Sequence, residues 1–207
     1  MTLPSRRTLA LIAGAVVLLA LLGAGGWFWY AEQQRRGIAA YAEAMTRVQV
    51  AQGGQAPAEA REAAILDLEG TLQKYPSAAT AAQAAFQLGN LRYGAQQYPA
   101  ARGAYEVALA KAGSGTIATL ARVGIAATWE AERNYAKAAE AYQATLGPLT
   151  AKGFLFEELL VDLGRVQERG GKKADAIATY QRLLKDAPQT RRGEEVRARL
   201  AALGAKP

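Results

Sequence analysis

The sequence predicts an all-α protein, in which a single N-terminal transmembrane helix is followed by a short α-solenoid. Three observations predict this fold class. An uncharged apolar run near the N-terminus is long enough to cross a bilayer. Three later segments align with one another without gaps, as the units of a stacked helical repeat do. Ala accounts for 48 of the 207 residues, and a chain so rich in Ala favours helices.

The apolar run covers residues 9–30 and is the predicted transmembrane anchor. At about 1.5 Å per residue it reaches roughly 33 Å, enough to cross a hydrocarbon core of about 30 Å. It ends in the aromatic cluster Trp27–Tyr30, of a kind that settles at membrane–water interfaces. The alternative is a signal peptide cleaved near the small residues Gly23–Gly26. The length of the run and its aromatic end favour an anchor that is retained.

The charges around the run set its expected orientation. Two arginines precede it at Arg6 and Arg7, and two follow it at Arg35 and Arg36, so the basic residues are tied. The terminal amine tips the balance toward a cytoplasmic N-terminus, formed by residues 1–8. Since no second apolar span follows, we expect residues 31–207 to form one soluble domain outside the cytoplasm.

Residues 31–76 are predicted to contain a linker helix and a degenerate first repeat. One helix is expected over residues 37–52 and another over residues 57–74, with Gly53-Gly54 as the break between them. Tyr75-Pro76 then ends the unit, because proline cannot continue a helix.

Residues 77–188 are predicted to form three helix–turn–helix repeats. The aligned segments begin at Leu88, Ile125 and Leu163. One column of the alignment is always Ala and another, four residues later, is always Tyr, at intervals of 37 and 38 residues. These columns are Ala101, Ala138 and Ala176, and Tyr105, Tyr142 and Tyr180.

Each predicted repeat has a simple packing logic. Its first helix, helix A, has a small residue where helix B must come close, namely Gly89, Ala126 or Gly164. Its second helix, helix B, places Ala and Tyr one turn apart on the same face. Ala admits the neighbouring helix and Tyr fills the space beside it. The final segment, residues 189–207, is expected to be a capping helix over residues 190–203 and a tail.

The composition excludes most catalytic and metal chemistry. The chain has no Cys and no His, which excludes disulfides, ordinary zinc sites and histidine-activated nucleophiles. Neighbouring carboxylates such as Glu157-Glu158 diverge by about 100° on a helix, and Gly113–Thr116 has no phosphate-loop lysine. We therefore predict no enzyme, no metal, no cofactor and no small-molecule substrate. The formal charge of +7 comes without an aromatic-basic platform, so nucleic acid is not an expected partner.

The repeat pattern resembles the tetratricopeptide repeat. That family has a Leu-Gly pair in helix A, Ala and an aromatic residue in helix B, and a closing Pro. Leu88-Gly89 and Leu163-Gly164 match the pair, and Pro188 matches the closing position. The chain as a whole, with its single span and degenerate repeats, is similar to the YfgM-like ancillary subunit family of the SecYEG translocon. This similarity implies a protein of the bacterial inner membrane whose repeat domain lies in the periplasm.

The resemblance also implies a binding groove, because tetratricopeptide repeats line their concave face with helix A. Carried onto this chain, the groove consists of four residues from each of three helices. These are Gln83, Phe86, Asn90 and Tyr93; Leu120, Val123, Ala127 and Glu130; and Glu158, Val161, Arg165 and Glu168. The alternative is that some of their apolar side chains pack between repeats.

The predicted function is that of a non-enzymatic, membrane-anchored adaptor. Such a protein would bind polypeptides, periplasmic chaperones or the translocon beside the secretion machinery of the inner membrane. The alternative is a structural scaffold for a fixed envelope complex, in outer-membrane assembly or in the coordination of cell division. A photoreactive residue at Tyr93 would separate the two, since many crosslinked products indicate clients and one product indicates a fixed partner.

Overall fold

The computed structural model describes residues 6–53 and 57–206. Most of the predicted cytoplasmic segment 1–8, and Gly54 of the predicted break, lie outside the described residues. Within these two ranges the chain forms nine α-helices and no strand, which confirms the all-α fold class. The helices are α1 (Arg6–Ala51), α2 (Ala58–Lys74), α3 (Ala81–Gly94), α4 (Tyr98–Ala112), α5 (Gly115–Ala131), α6 (Tyr135–Leu146), α7 (Phe156–Arg169), α8 (Lys173–Asp186) and α9 (Gly193–Ala202).

Helix α1 joins the apolar run to the first repeat without a break. It is 46 residues long, whereas the sequence suggested an anchor followed by a separate linker helix. From Ile12 to Tyr30 it is exposed on every side, and one stretch of α1 is long and apolar enough to cross a membrane. Beyond Gly37 it buries one stripe against α2 and α3, at the three- and four-residue spacing of a helix face. The buried stripe is Tyr41, Ala44, Val48 and Ala51.

The remaining helices pair in the order that the sequence predicts. Helices α3 and α4, α5 and α6, and α7 and α8 each pack as an antiparallel pair, and α1 pairs with α2. The turns within the three later pairs have the same backbone geometry. A left-handed residue stands at Gln96, Arg133 and Gly171, and the next backbone N–H bonds back to a carbonyl five residues earlier. This is the Schellman ending of a helix, and all three pairs share it.

On one side of the stack the first helices of the N-terminal repeats approach one another. Helix α1 packs on α3, and α3 packs on α5. In the described residues no comparable packing joins α2, α4, α6 and α8 to one another. Ion pairs of Glu130 with Arg165 and Arg169 join α5 to α7. The side formed by α3, α5 and α7 is the one that the sequence predicts to be concave, and shallow clefts lie beside the second helices on the other, outer side.

The C-terminal end of the stack is closed by α9. Its buried residues Val196 and Leu200 join the apolar cluster that includes Leu183 of α8 and Phe156 of α7. The predicted final helix, residues 190–203, is therefore observed as Gly193–Ala202, with Leu203 half-buried. Arginines and glutamates cover its outer side and pair with one another. A polar outer face of this kind ends a repeat stack without leaving an apolar edge.

Candidate functional site

The concave side of the repeat domain carries the residues predicted to form the groove. All twelve predicted residues lie on α3, α5 or α7, four on each helix. Gln83, Tyr93 and Glu158 are exposed, and eight others are half-buried. Val161 differs, because only 4% of its surface is exposed and it packs within the apolar cluster of the last repeats. The structure thus places Val161 in the packing between helices.

The tyrosines of helix B contact residues of helix A on this concave side. The ring of Tyr105 fills the space above Gly89, and its hydroxyl donates a hydrogen bond of 2.9 Å to the side-chain oxygen of Asn90. Phe86 lies beside the same ring, with 5.7 Å between the ring centroids. Two of the predicted groove residues on α3 are therefore partners of a buried tyrosine as well as surface residues.

The two later repeats use a carboxylate in the corresponding role. Tyr142 donates to Glu130 at 3.4 Å, and Tyr180 donates to Glu168 at 2.5 Å. Burial raises the pKa of Tyr180, and its hydrogen bond to Glu168 raises it further. Tyr93 occupies the position of these glutamates in the earlier repeat, four residues after the small residue of helix A. This difference explains why Tyr105 bonds to Asn90 instead.

An ion-pair network links the repeats across the concave side. Glu130 of α5 pairs with Arg165 and, at 2.9 Å, with Arg169, both on α7. Arg165 also pairs with Asp162 at 2.6 Å. Burial lowers the pKa of Arg165 and raises that of Asp162, because both charged groups lose contact with water. Glu130 is the centre of the network because both arginines of α7 pair with it, and only 10% of its side chain is exposed.

Two of the four charged residues of the predicted groove, Glu130 and Arg165, are thus paired with each other. Glu168 forms a separate pair with Arg199 of α9, at 3.5 Å. Burial raises the pKa of Tyr93 and the neighbouring Tyr98 raises it further, whereas the guanidinium of Arg165 on α7 acts weakly in the opposite direction. The rings of Tyr93 and Tyr98 meet edge to face, with centroids 5.4 Å apart. Tyr93 is the most exposed aromatic group on this side, with 37% of its surface open.

A comparison with known protein families identifies this architecture. A family model described as a tetratricopeptide repeat-like domain matches residues 7–205, which is nearly the whole chain. The chain belongs to the tetratricopeptide repeat-like family. No curated protein matches the sequence. Because the match begins at Arg7, the region shared with the family includes the apolar run as well as the repeats.

The outer side of the tetratricopeptide repeats contains two open clefts that the sequence did not reveal. One cleft, of about 480 Å³, lies between α2, α3 and α4 and includes Leu72, Arg92 and Val107. The other, of about 460 Å³, lies between α6, α7 and α8 and includes Ala139 and Gln167. The walls of both clefts are mainly apolar. In the first cleft Arg92 forms an ion pair with Glu69.

Between these clefts the corresponding position is filled by Trp129. It follows the small residue of helix A by three positions, as Arg92 and Gln167 do in the neighbouring tetratricopeptide repeats. The guanidinium of Arg102 lies 3.5 Å from the centre of its ring and the ammonium of Lys137 lies 4.3 Å away. Such contacts attract cations to the ring face. Trp129 thereby connects α4 and α6, and the repeat alignment is the signal that could have located it.

The described residues provide no metal centre. They contain no group of three or more His, Cys, Asp or Glu side chains arranged to hold an ion. Tetratricopeptide repeat-like domains are typically interaction modules, and the surfaces described above are those of a protein-binding domain.

Proposed function

We propose that this protein is a membrane-anchored adaptor that binds polypeptide segments on the concave side of its repeats. The observation on which this proposal rests is the surface around Tyr93, where an exposed aromatic ring lies on the same side of the stack as the ion pair of Glu130 with Arg165. Aromatic side chains of this kind often supply most of the affinity at protein interfaces. The ion pairs on this side form without a ligand. Binding of a segment therefore requires little further ordering of the site, and the entropic cost of binding is small.

The anchor in this proposal is the apolar part of α1. Its residues from Ile12 to Tyr30 are all exposed in the described structure, which suits a helix surrounded by lipid. The helix also continues through Gly23–Gly26, the small residues at which a signal peptide would be cleaved. Peptidases prefer exposed irregular segments, so this continuity favours a retained anchor. We propose that the N-terminus is cytoplasmic and that the repeats face the periplasm.

The partners in this proposal are polypeptides, periplasmic chaperones or the translocon at the bacterial inner membrane. Tethering places the concave side at a high effective concentration next to any membrane complex. Weak contacts at Tyr93 are then sufficient for binding. The proposal includes no enzymatic activity.

A fixed scaffold for an envelope complex is the second candidate. The observation that favours it is the pairing of Glu130 with Arg165 and of Glu168 with Arg199, because a preformed surface suits one defined partner. A scaffold of this kind would hold its partner whether or not polypeptides are being secreted.

Photocrosslinking from the full-length protein in its membrane tests both candidates. A photoreactive amino acid replaces Tyr93, and the matched control carries it at Leu66 of α2, which is 60% exposed on another helix. An adaptor gives many crosslinked products at Tyr93 and few at Leu66. A scaffold gives one discrete product at Tyr93. Equal patterns at the two positions would show that the concave side is not the binding surface.

A further inference from the structure

The turn between α2 and α3 is held against α1 immediately after the apolar run. The side-chain amide of Gln34 donates to the carbonyl of Ser77 at 2.7 Å, and its oxygen accepts from the backbone N–H of Ala79 at 3.0 Å. One helical turn further on, Gly37 is buried where the β-carbon of Ala78 lies too close for any side chain. The hydroxyl of Tyr41 then donates to the carbonyl of Tyr75 at 3.1 Å.

This attachment fixes how far the turn lies from the bilayer. Gln34 follows Tyr30, the end of the aromatic cluster, by four residues, or about 6 Å along a helix. Aromatic clusters of this kind lie at the level of lipid headgroups. The α2–α3 turn therefore lies at or just above that level when α1 spans a membrane.

A cavity lies between the turn and the end of the aromatic cluster. Its volume is about 350 Å³, and it is lined by Trp29, Tyr30 and Gln33 on α1 and by Lys74, Tyr75 and Ser77 on the other side. One wall offers aromatic rings and the other offers an ammonium group and polar backbone. A phospholipid has the same two parts in the same order, with acyl chains below and a phosphate above.

The two lysines near this cavity form no ion pair with a carboxylate, whereas Arg36 of α1 pairs with Glu32. Every ion pair among the described residues has arginine as its cation, and neither Lys74 nor Lys111 takes part in one. Lys74 lies 5.4 Å from the centre of the Tyr75 ring. Lys111, at the end of α4, donates to the carbonyl of Pro76 at 2.6 Å and so brings a second ammonium to the turn.

We propose that the α2–α3 turn and the cavity beside it are a binding site for phospholipid headgroups. In this site the phosphate is attracted by Lys74 and Lys111, and the glycerol region lies against Trp29 and Tyr30. The contact sets the angle at which the repeats stand on the membrane. The inference rests on the proposed anchoring of α1, and it adds a second, lipid-specific contact outside the span.

The position of the turn can be measured with a label at a single site. The natural chain has no cysteine, so Ser77→Cys creates one labelling position at the turn. The matched control is Gln97→Cys, an exposed position beyond the other end of α3, which is 14 residues or about 21 Å long. Each full-length variant is labelled with a fluorophore and placed in nanodiscs of phosphatidylcholine whose headgroups carry a nitroxide quencher. We expect strong quenching at Ser77→Cys and little at Gln97→Cys.

The contribution of charge is measured in the same nanodiscs with and without phosphatidylglycerol. Removing two lysines from a surface beside anionic lipid weakens its attraction, by about fivefold for each charge at most. In discs with phosphatidylglycerol, the double variant Lys74→Gln/Lys111→Gln is expected to lose at least about half of the quenching at Ser77→Cys. The control double variant Lys172→Gln/Lys173→Gln removes two lysines at the turn between α7 and α8 and should leave it unchanged.

The outcomes separate this inference from the anchoring on which it rests. A protein that does not enter the nanodiscs would contradict the anchoring itself. A protein that enters them but is quenched equally at both labels, or at neither, would overturn the lipid contact while leaving the anchor intact. Quenching at Ser77→Cys that the double variant Lys74→Gln/Lys111→Gln leaves unchanged, in discs with phosphatidylglycerol, would also overturn the lipid contact. The phosphate would then have no cationic partner.

Discussion

At the scale of single residues, the fold depends on a steric match between a small residue and a tyrosine. A β-carbon on Gly89 would overlap the ring of Tyr105, and one on Gly164 would overlap the ring of Tyr180. The ring of Tyr105 also reaches the next repeat, where a β-carbon on Gly124 would lie 2.6 Å from it. A single tyrosine therefore closes its own helix pair and joins it to the following one.

Replacing Gly89 with Ala should destabilise the protein. The ring of Tyr105 is buried and hydrogen-bonded, so it cannot move aside cheaply, and overpacking of this kind costs about 1–3 kcal/mol. Chemical unfolding of the full-length protein in mild detergent, followed by circular dichroism, measures the change. Gly103→Ala is the control, because Gly103 is also helical but has open space around it. That substitution should stabilise by about 0.5–1 kcal/mol, so equal effects at the two positions would contradict the steric match.

The sequence predicted the steric match but could not predict the polar contacts built around it. The columns of Ala and Tyr are visible in the chain because every repeat needs the same packing. The partners of the tyrosine hydroxyls vary, from Asn90 to Glu130 and Glu168, because a hydroxyl can donate to any nearby acceptor. The pair of Glu130 with Arg165 likewise joins residues 35 positions apart, and only the folded chain shows it.

At the scale of elements, the largest departure from expectation is the continuity of α1. The segment between the aromatic cluster and Gly37 contains no proline, so nothing in it ends a helix. Gly37 was expected to begin a new helix, yet it lies inside α1, where it allows Ala78 to come close. A glycine within a helix can thus mark a close approach of another segment, and the two roles are hard to distinguish in a single sequence.

A second feature at this scale is the way in which Trp129 joins α4 to α6. Trp129→Ala should destabilise the protein by about 2–4 kcal/mol, because it opens a cleft and leaves Arg102 and Lys137 without their ring. Trp129→Phe keeps an aromatic face and should lower the free energy of unfolding by about half as much. Unfolding in urea measures both variants. Trp27→Ala, in the exposed apolar run, is the control and should leave the unfolding of the repeats unchanged. A similar loss from all three would contradict the role of the ring.

At the scale of the whole molecule, the apolar interior is divided along the stack. One cluster lies mainly among α1, α2 and α3, with Ala104 of α4, and another lies among the last five helices. A smaller cluster lies between them. In stacked repeats each unit contacts only its neighbours, so stability is local.

Leu200→Ala should therefore loosen one end of the molecule more than the other. Leu200 is fully buried in the C-terminal cluster, and loss of a buried leucine costs about 2–5 kcal/mol. Hydrogen exchange of the full-length protein is expected to quicken in α7, α8 and α9 and to change little in α2 and α3. Leu68→Ala, at an equally buried site in the N-terminal cluster, should produce the reverse. A uniform increase along the chain would instead indicate a single cooperative unit.

The unbroken course of α1 from the apolar run into the first repeat has a mechanical consequence if the run spans a membrane. A continuous helix transmits torque, so a rotation of the span about its own axis turns the repeats through the same angle. Any protein that binds the span within the lipid would thereby set the direction, around the membrane normal, in which Tyr93 faces. Binding of a neighbour inside the membrane and the orientation of the repeats outside it would then be mechanically coupled through α1.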